Sequence, residues 1–241
     1  MGKILVVANW KANVMDVNEW TKQIAVRVQG SEKNTTVEIA IAAPYTLLHF
    51  LNQTLSANRY PLTASLSSQD LSAFPPGAYT GEVSAQILAN LGVKYALVGH
   101  SERRKYLKET NVEVEAKLSQ AIANNIVPII CAQTLEEIPD NIRNYDPSKY
   151  LVMYEPSFAI STNGQYHPDS IKNITTTLAN WKNKLPQNIR FLYGGSISPE
   201  NVSAFLPLCL SASLSGFVVG HASLDPKSFS DIILALCSLP A

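Results

Sequence analysis

The 241-residue sequence predicts an α/β protein, a single-domain (β/α)8 barrel spanning 1–241 in which eight parallel strands close on themselves inside a ring of helices. Three observations predict it. Short apolar runs recur eight times, helical periodicities lie between them, and the runs are nearly uniform in apolar character. Strands of that kind need cover on their outer face, which is the condition of a parallel sheet wrapped by helices. With eight units a closed barrel suits the chain better than an open sheet, and such barrels commonly take about 250 residues.

The strands are expected at Ile4 to Ala8, Val37 to Ala42, Leu62 to Leu66, Tyr95 to Val98, Ile126 to Ile130, Tyr150 to Tyr154, Ile189 to Tyr193 and Gly216 to Val219. Helix faces are marked by Trp20, Ile24 and Val28, by Leu47, Leu51 and Leu55, and by Val83, Ile87 and Leu91. Two more run through Ile171, Ile174, Leu178, Trp181 and Leu185, and through Phe229, Ile232, Ile233 and Leu236. In each, apolar residues three or four apart fall on one side of a helix. Starts are expected at Thr110 to Glu113 and Thr134 to Glu137, where a hydroxyl can cap free amides and a Glu can reach back, and at Ser198-Pro199 and Asp225-Pro226. From Thr134 to Lys149 there is room for only one or two short turns before the sixth strand.

Lys+Arg and Asp+Glu both number 19, so no global charge favours nucleic acid or a charged membrane as partner. Cys131, Cys209 and Cys237 are odd in number and far apart, which suggests neither a disulfide framework nor a C-x-x-C site and fits a reducing cytoplasm. The apolar run after Lys3 is too short for a signal peptide or a membrane span, and Val6 stands where a myristoylation motif wants Ser or Thr. A soluble, unanchored protein is expected. The four histidines, His49, His100, His167 and His221, have no ligand spacing, so no metal is expected, and His49 reads as an exposed helix residue.

In a barrel the reactive side chains lie at the C-terminal ends of the strands and in the loops that follow. Asn9-Trp10-Lys11 follows the first strand, although a lone Lys there is equally a solvated charge. After the fourth strand comes Gly99-His100-Ser101-Glu102-Arg103-Arg104, an imidazole among groups able to fix its protonation. Glu155 stands at the mouth of the sixth strand, ahead of Pro156 to Gly164, whose apolar and small residues suit a lid that shuts out water. Tyr193-Gly194-Gly195-Ser196 and Val219-Gly220-His221-Ala222 follow the last two strands, where glycines let backbone amides approach an anion.

Together with Gly77-Ala78-Tyr79-Thr80-Gly81-Glu82, these motifs resemble the triosephosphate isomerase family in order and spacing over nearly the whole chain. The resemblance implies a cofactor-free TIM barrel that interconverts D-glyceraldehyde 3-phosphate and dihydroxyacetone phosphate in glycolysis and gluconeogenesis. It assigns Glu155 as the base, neutral His100 as the group that polarises the carbonyl, Lys11 as the cation facing the oxyanion and phosphate, and Glu102 as a partner of Lys11 and the substrate oxygens. Asn9, Lys11, Ser161, Ser196, Gly220 and His221 are implied to bind substrate. Ser101 is implied to hold the base while the lid is open, and Tyr193 and Ser196 to latch the lid shut. The segment from Phe74 to Glu82 resembles the loop that enters a neighbouring subunit, which implies a homodimer. In it Thr80 supports the partner site, and Glu82 of one chain pairs with Arg103 of the other.

The match departs at the anion site, where Ser161 and His221 each replace a glycine at an expected cost in space and backbone freedom. Asn163 replaces another lid glycine, and Cys131-Ala132-Gln133-Thr134 is one residue short, an alteration expected to touch the barrel wall rather than the chemistry. Two competing readings use these departures: an isomerase or epimerase of another sugar phosphate, and an inactive barrel with a degenerate phosphate site. Retention of Lys11, His100 and Glu155 together argues against the first, and a phosphate titration separates the second.

Overall fold

A computed structural model describes residues 3–29, 37–57, 60, 62–159, 167–211 and 213–238. Its strands are β1 (Ile4–Asn9), β2 (Val37–Ala43), β3 (Ala64–Ser68), β4 (Val93–Val98), β5 (Val127–Ala132), β6 (Leu151–Tyr154), β7 (Arg190–Tyr193) and β8 (Gly216–Val219). They pair in chain order and close into a barrel, with every neighbouring pair parallel. The closing seam sets Leu5 of β1 opposite Gly216 of β8. Gly216 has a φ of 150° and a Cβ there would lie 1.9 Å from the Leu5 carbonyl oxygen, so only glycine lets the two backbones meet.

Around the barrel run α1 (Val17–Val28), α2 (Tyr45–Ser56), α3 (Ala85–Asn90), α4 (Ser101–Leu107), α5 (Asn111–Ala123), α6 (Ile171–Lys184), α7 (Leu206–Leu210) and α8 (Pro226–Cys237). Thr110 and Glu113 form the expected capping box of α5, and Asp225 caps α8 ahead of Pro226. Among the described residues no helix is long and apolar enough to cross a membrane.

Two apolar cores divide the strand residues by parity, because successive side chains point to opposite faces. Leu5, Val7, Ala40, Ala42, Leu151 and Met153 fill the barrel interior. Val6, Ala8, Ile39, Ile41 and Val152 instead face the helices. The interior series 5, 7 continues to Asn9, and the series 151, 153 continues to Glu155. A polar residue arriving in phase with an inward-facing row therefore emerges at the barrel mouth.

Five local expectations are corrected. The third strand begins and ends later than its apolar run, taking in Ser67 and Ser68, which are fully buried because small hydroxyls fit where hydropathy does not register them. In α3 the Ser84 cap starts the helix after Val83, so Ala85 and Leu88 are buried and Ile87 faces outward. Thr134 makes no capping bond; the Glu137 carboxylate accepts from the Gln133 amide instead, at 2.7 Å. Three 3-10 turns, Leu135–Glu137, Asp140–Asn144 and Pro147–Lys149, stand between β5 and β6 where one or two short turns were expected, since Pro139 and Pro147 interrupt any longer ladder. Ser198 does not start a helix either; its amide donates to Asn201 Oδ1, and the next turn runs Val202–Phe205.

Candidate active site

The barrel gathers the chemistry-bearing residues of five distant segments at one end. A single narrow cavity there is lined by Asn9, Lys11, His100, Glu155, Ser196 and Gly220, with His221 at its edge. Asn9 and Glu155 arrive by strand parity, His100 by the turn after β4, and the others by the loops after β1, β7 and β8.

Glu155 is 3% exposed, and its two oxygens are separately held. Oε1 lies 3.0 Å from His100 Nε2, and Oε2 accepts the Ser101 backbone amide at 3.2 Å. The Ser101 hydroxyl helps hold the carboxylate's charge without reaching good hydrogen-bond geometry. Burial pushes the pKa of Glu155 up, yet His100 and the Ser101 contacts outweigh it and leave the carboxyl below its ordinary 4.5.

His100 Nδ1 accepts the Glu102 amide at 3.2 Å, which leaves the exchangeable proton on Nε2, directed at Glu155. Burial disfavours charge on this ring, but the Glu155 carboxylate against it raises its pKa on balance. The Glu102 carboxylate, 3.8 Å from Nδ1, adds to that rise, and the Lys11 ammonium works against it.

Lys11 extends its ammonium to Glu102 Oε1 at 2.6 Å. Its backbone is left-handed, at φ 51°, as is Ser196 at φ 52°. Non-glycine residues rarely adopt that conformation, and it persists only where surrounding bonds enforce it. Ser196 Oγ donates to the Ala159 carbonyl at 2.5 Å, and Tyr193 Oη accepts the Asp169 amide at 2.8 Å. The end of β7 and the loop after it thus bond residues on both sides of 160–166. Ser161, Asn163 and Gly164 lie outside the described residues.

Gly220 and His221 follow β8, and His221 is exposed as the first residue of a 3-10 turn. Its φ is not positive, so the side chain that stands in for glycine costs no backbone strain, contrary to expectation. Thr80 and Glu82 are not brought to this chain's own cavity. They lie on an exposed loop in which Phe74 and Tyr79 stack at 4.4 Å. Arg103 is engaged within its own chain, by Asp70 Oδ2 at 2.8 Å and Glu109 Oε1 at 3.2 Å.

Two groups escaped the sequence reading. Lys117 of α5 lies buried between Asp70 and Glu109, completing a four-charge cluster with Arg103 of α4, the helix that His100 caps and that carries Glu102. Gln69, just past β3, donates to the Lys11 and Ala42 carbonyls at 2.9 and 2.8 Å. Neither has a local motif; a buried Lys on a helix face and a Gln at a strand end were the only signals.

With this geometry fixed, the profile of one family, described as triosephosphate isomerase, matches residues 4–236. The chain belongs to the triosephosphate isomerase family. A triosephosphate isomerase from Mesomycoplasma hyorhinis is 36% identical, with 97% of this chain and 98% of that protein covered. One from Endomicrobium trichonymphae is 32% identical over the same shares. The crystal structure of the Bartonella henselae triosephosphate isomerase superposes with a TM-score of 0.76 at 24% identity, covering 97% of this chain and 98% of that one, a likeness of fold.

Proposed function

We propose that the barrel interconverts D-glyceraldehyde 3-phosphate and dihydroxyacetone phosphate through an enediolate, with Glu155 as the base. The observation that carries this reading is the convergence of a buried carboxylate, an imidazole protonated on Nε2 and a lysine ammonium on one cavity. Glu155, freed from His100 and Ser101, takes the proton from the carbon beside the substrate carbonyl and returns it to the neighbouring carbon. His100 donates its Nε2 hydrogen to the carbonyl oxygen, and Lys11 and Asn9 stabilise the negative charge that develops there. The family is itself a standard illustration of a carboxylate base working with a neutral imidazole, so these roles are inherited from it.

Lys11, Ser196, Gly220 and His221 line the cavity in which the phosphate binds, and Ser161 is assigned to phosphate binding by the family likeness. Closure of 156–164 excludes water from the enediolate, and Tyr193 and Ser196 exchange their present partners for contacts within the closed lid. Glu102 orients the Lys11 ammonium. No cofactor enters this scheme.

The working unit is a homodimer, each subunit a single catalytic barrel. A groove of about 350 Å³ beside the cavity, lined by Asn9, Lys11, Tyr45, Leu97, Tyr106 and Leu107, suits a partner's 74–82 loop. Thr80 then supports the partner's Asn9 and His100, and Glu82 reaches the exposed edge of the partner's Arg103. Three buried free thiols accord with the reducing cytoplasm as its compartment.

The test is the steady-state isomerisation rate of the wild type and of Glu155→Gln, assayed in parallel on a panel of sugar phosphates. Removal of the only base lowers kcat by at least about 10²- to 10⁴-fold. A wild type as slow as the variant on triose phosphate refutes the assignment, and turnover of a different member of the panel identifies the substrate instead.

A further inference from the structure

Lys11 holds its left-handed backbone between two fixed points. Its amide donates to Asn9 Oδ1 at 3.1 Å, and its carbonyl accepts Gln69 Nε2 at 2.9 Å. The same Nε2 donates to the Ala42 carbonyl at 2.8 Å, and that carbonyl also accepts the Trp10 amide at 3.1 Å. One carboxamide thus uses both of its hydrogens to tie the loop after β1 to the end of β2 from the end of β3. An L-residue at positive φ is strained, and it relaxes wherever the surrounding bonds do not enforce it. Relaxation of φ at residue 11 swings the whole side chain, so the ammonium leaves the cavity floor.

We propose that Gln69 is a positioning residue for the isomerase reaction, holding Lys11 in the strained conformation that aims its ammonium at the substrate. Gln69 does not line the cavity; it acts through the Lys11 carbonyl, from the neighbouring groove. This rests on the proposed role of Lys11. The asparagine contact alone leaves the other side of the lysine free to turn, because Asn9 Oδ1 fixes the amide preceding the residue and not the peptide that follows it.

The test is a double-mutant cycle in kcat/KM with Gln69→Met and Lys11→Met, accompanied by sulfate binding to each variant and by thermal unfolding. Gln69→Met keeps the side-chain length and removes both donors. Misplacement of a positioned group by about 1 Å costs on the order of 10²-fold in rate, and that is the loss expected in the wild-type background. In the Lys11→Met background the second substitution costs less than about twofold, because the group it positions is gone. Sulfate affinity falls with Gln69→Met and does not fall further in the double variant. Equal losses in both backgrounds, or an unchanged kcat/KM in Gln69→Met, overturn the proposal. Gln69→Leu gives the same comparison should the methionine variant fold poorly. A wild type without turnover removes the proposed function and this inference together, whereas an active wild type with independent losses removes only this one.

Discussion

Lys117→Met removes one ammonium from a place that water scarcely reaches and keeps the aliphatic stem that packs there. The lysine side chain is 7% exposed, between Asp70 at 11% and Glu109 at 3%. Nζ lies 2.7 and 2.8 Å from the two Asp70 oxygens and bonds Glu109 Oε1 as well. Without it, two carboxylates share only the Arg103 guanidinium, whose side chain is 31% exposed, and Glu109 Oε2 already has no hydrogen-bond partner. Breaking a buried ion pair by removing one partner costs about 3–5 kcal/mol, because the remaining charge stays desolvated. A domain of this size loses roughly 2–4 °C of Tm per kcal/mol, so the variant should melt about 6–20 °C below the wild type at neutral pH. Burial already raises the pKa of Asp70, and without its lysine the group takes up a proton more readily still. The deficit therefore narrows as pH falls, since protonation relieves the unpaired charge. Circular dichroism melts of both proteins across pH 5 to 8 measure this. A Tm lowered by less than about 2 °C, or a deficit independent of pH, would show that the cluster is solvated rather than buried.

The contact between Glu155 and His100 predicts its own pH window. Glu155 lies below its ordinary 4.5, so its contribution is present above that value and lost as pH falls through the folded pKa. His100 lies above its ordinary 6.5, so its contribution is present below that value and lost as pH rises through the folded pKa. Their coupling in thermal stability, from a cycle of Glu155→Gln and His100→Asn, should be greatest between pH 4.5 and 6.5 and smaller well above it; coupling that grows with alkalinity contradicts these directions. Gly216→Ala drives a Cβ into the Leu5 backbone and should cost at least the 1–3 kcal/mol typical of overpacking, read as a loss of denaturation midpoint. An unchanged midpoint would mean that the seam between β1 and β8 yields.

The fold was legible because eight units repeat one pattern, and repetition averages out local error. Errors fell where a residue's neighbours are remote in sequence. Ser67 and Ser68 read as polar, yet they are buried in β3 because the barrel wall needs small side chains beside β2. Ile87 reads as part of a helix face, yet the Ser84 cap sets the phase of α3 and turns it outward. The 3-10 turns between 134 and 149 were visible only as a lack of room.

The sequence by itself determined which residue types stand at the strand ends, because the order of motifs along the chain is a property of the chain alone. It placed Asn9, Lys11, His100, Glu155 and Ser196 at the mouths of their strands, and the family follows from that order. Only the tertiary structure decided which oxygen of Glu155 meets which nitrogen of His100, that Lys11 and Ser196 are left-handed, and that Gln69 and Lys117 belong to the account at all. Those facts depend on distances between segments dozens of residues apart. Barrel closure sets such distances through strand register and packing, and no local pattern of residues encodes them.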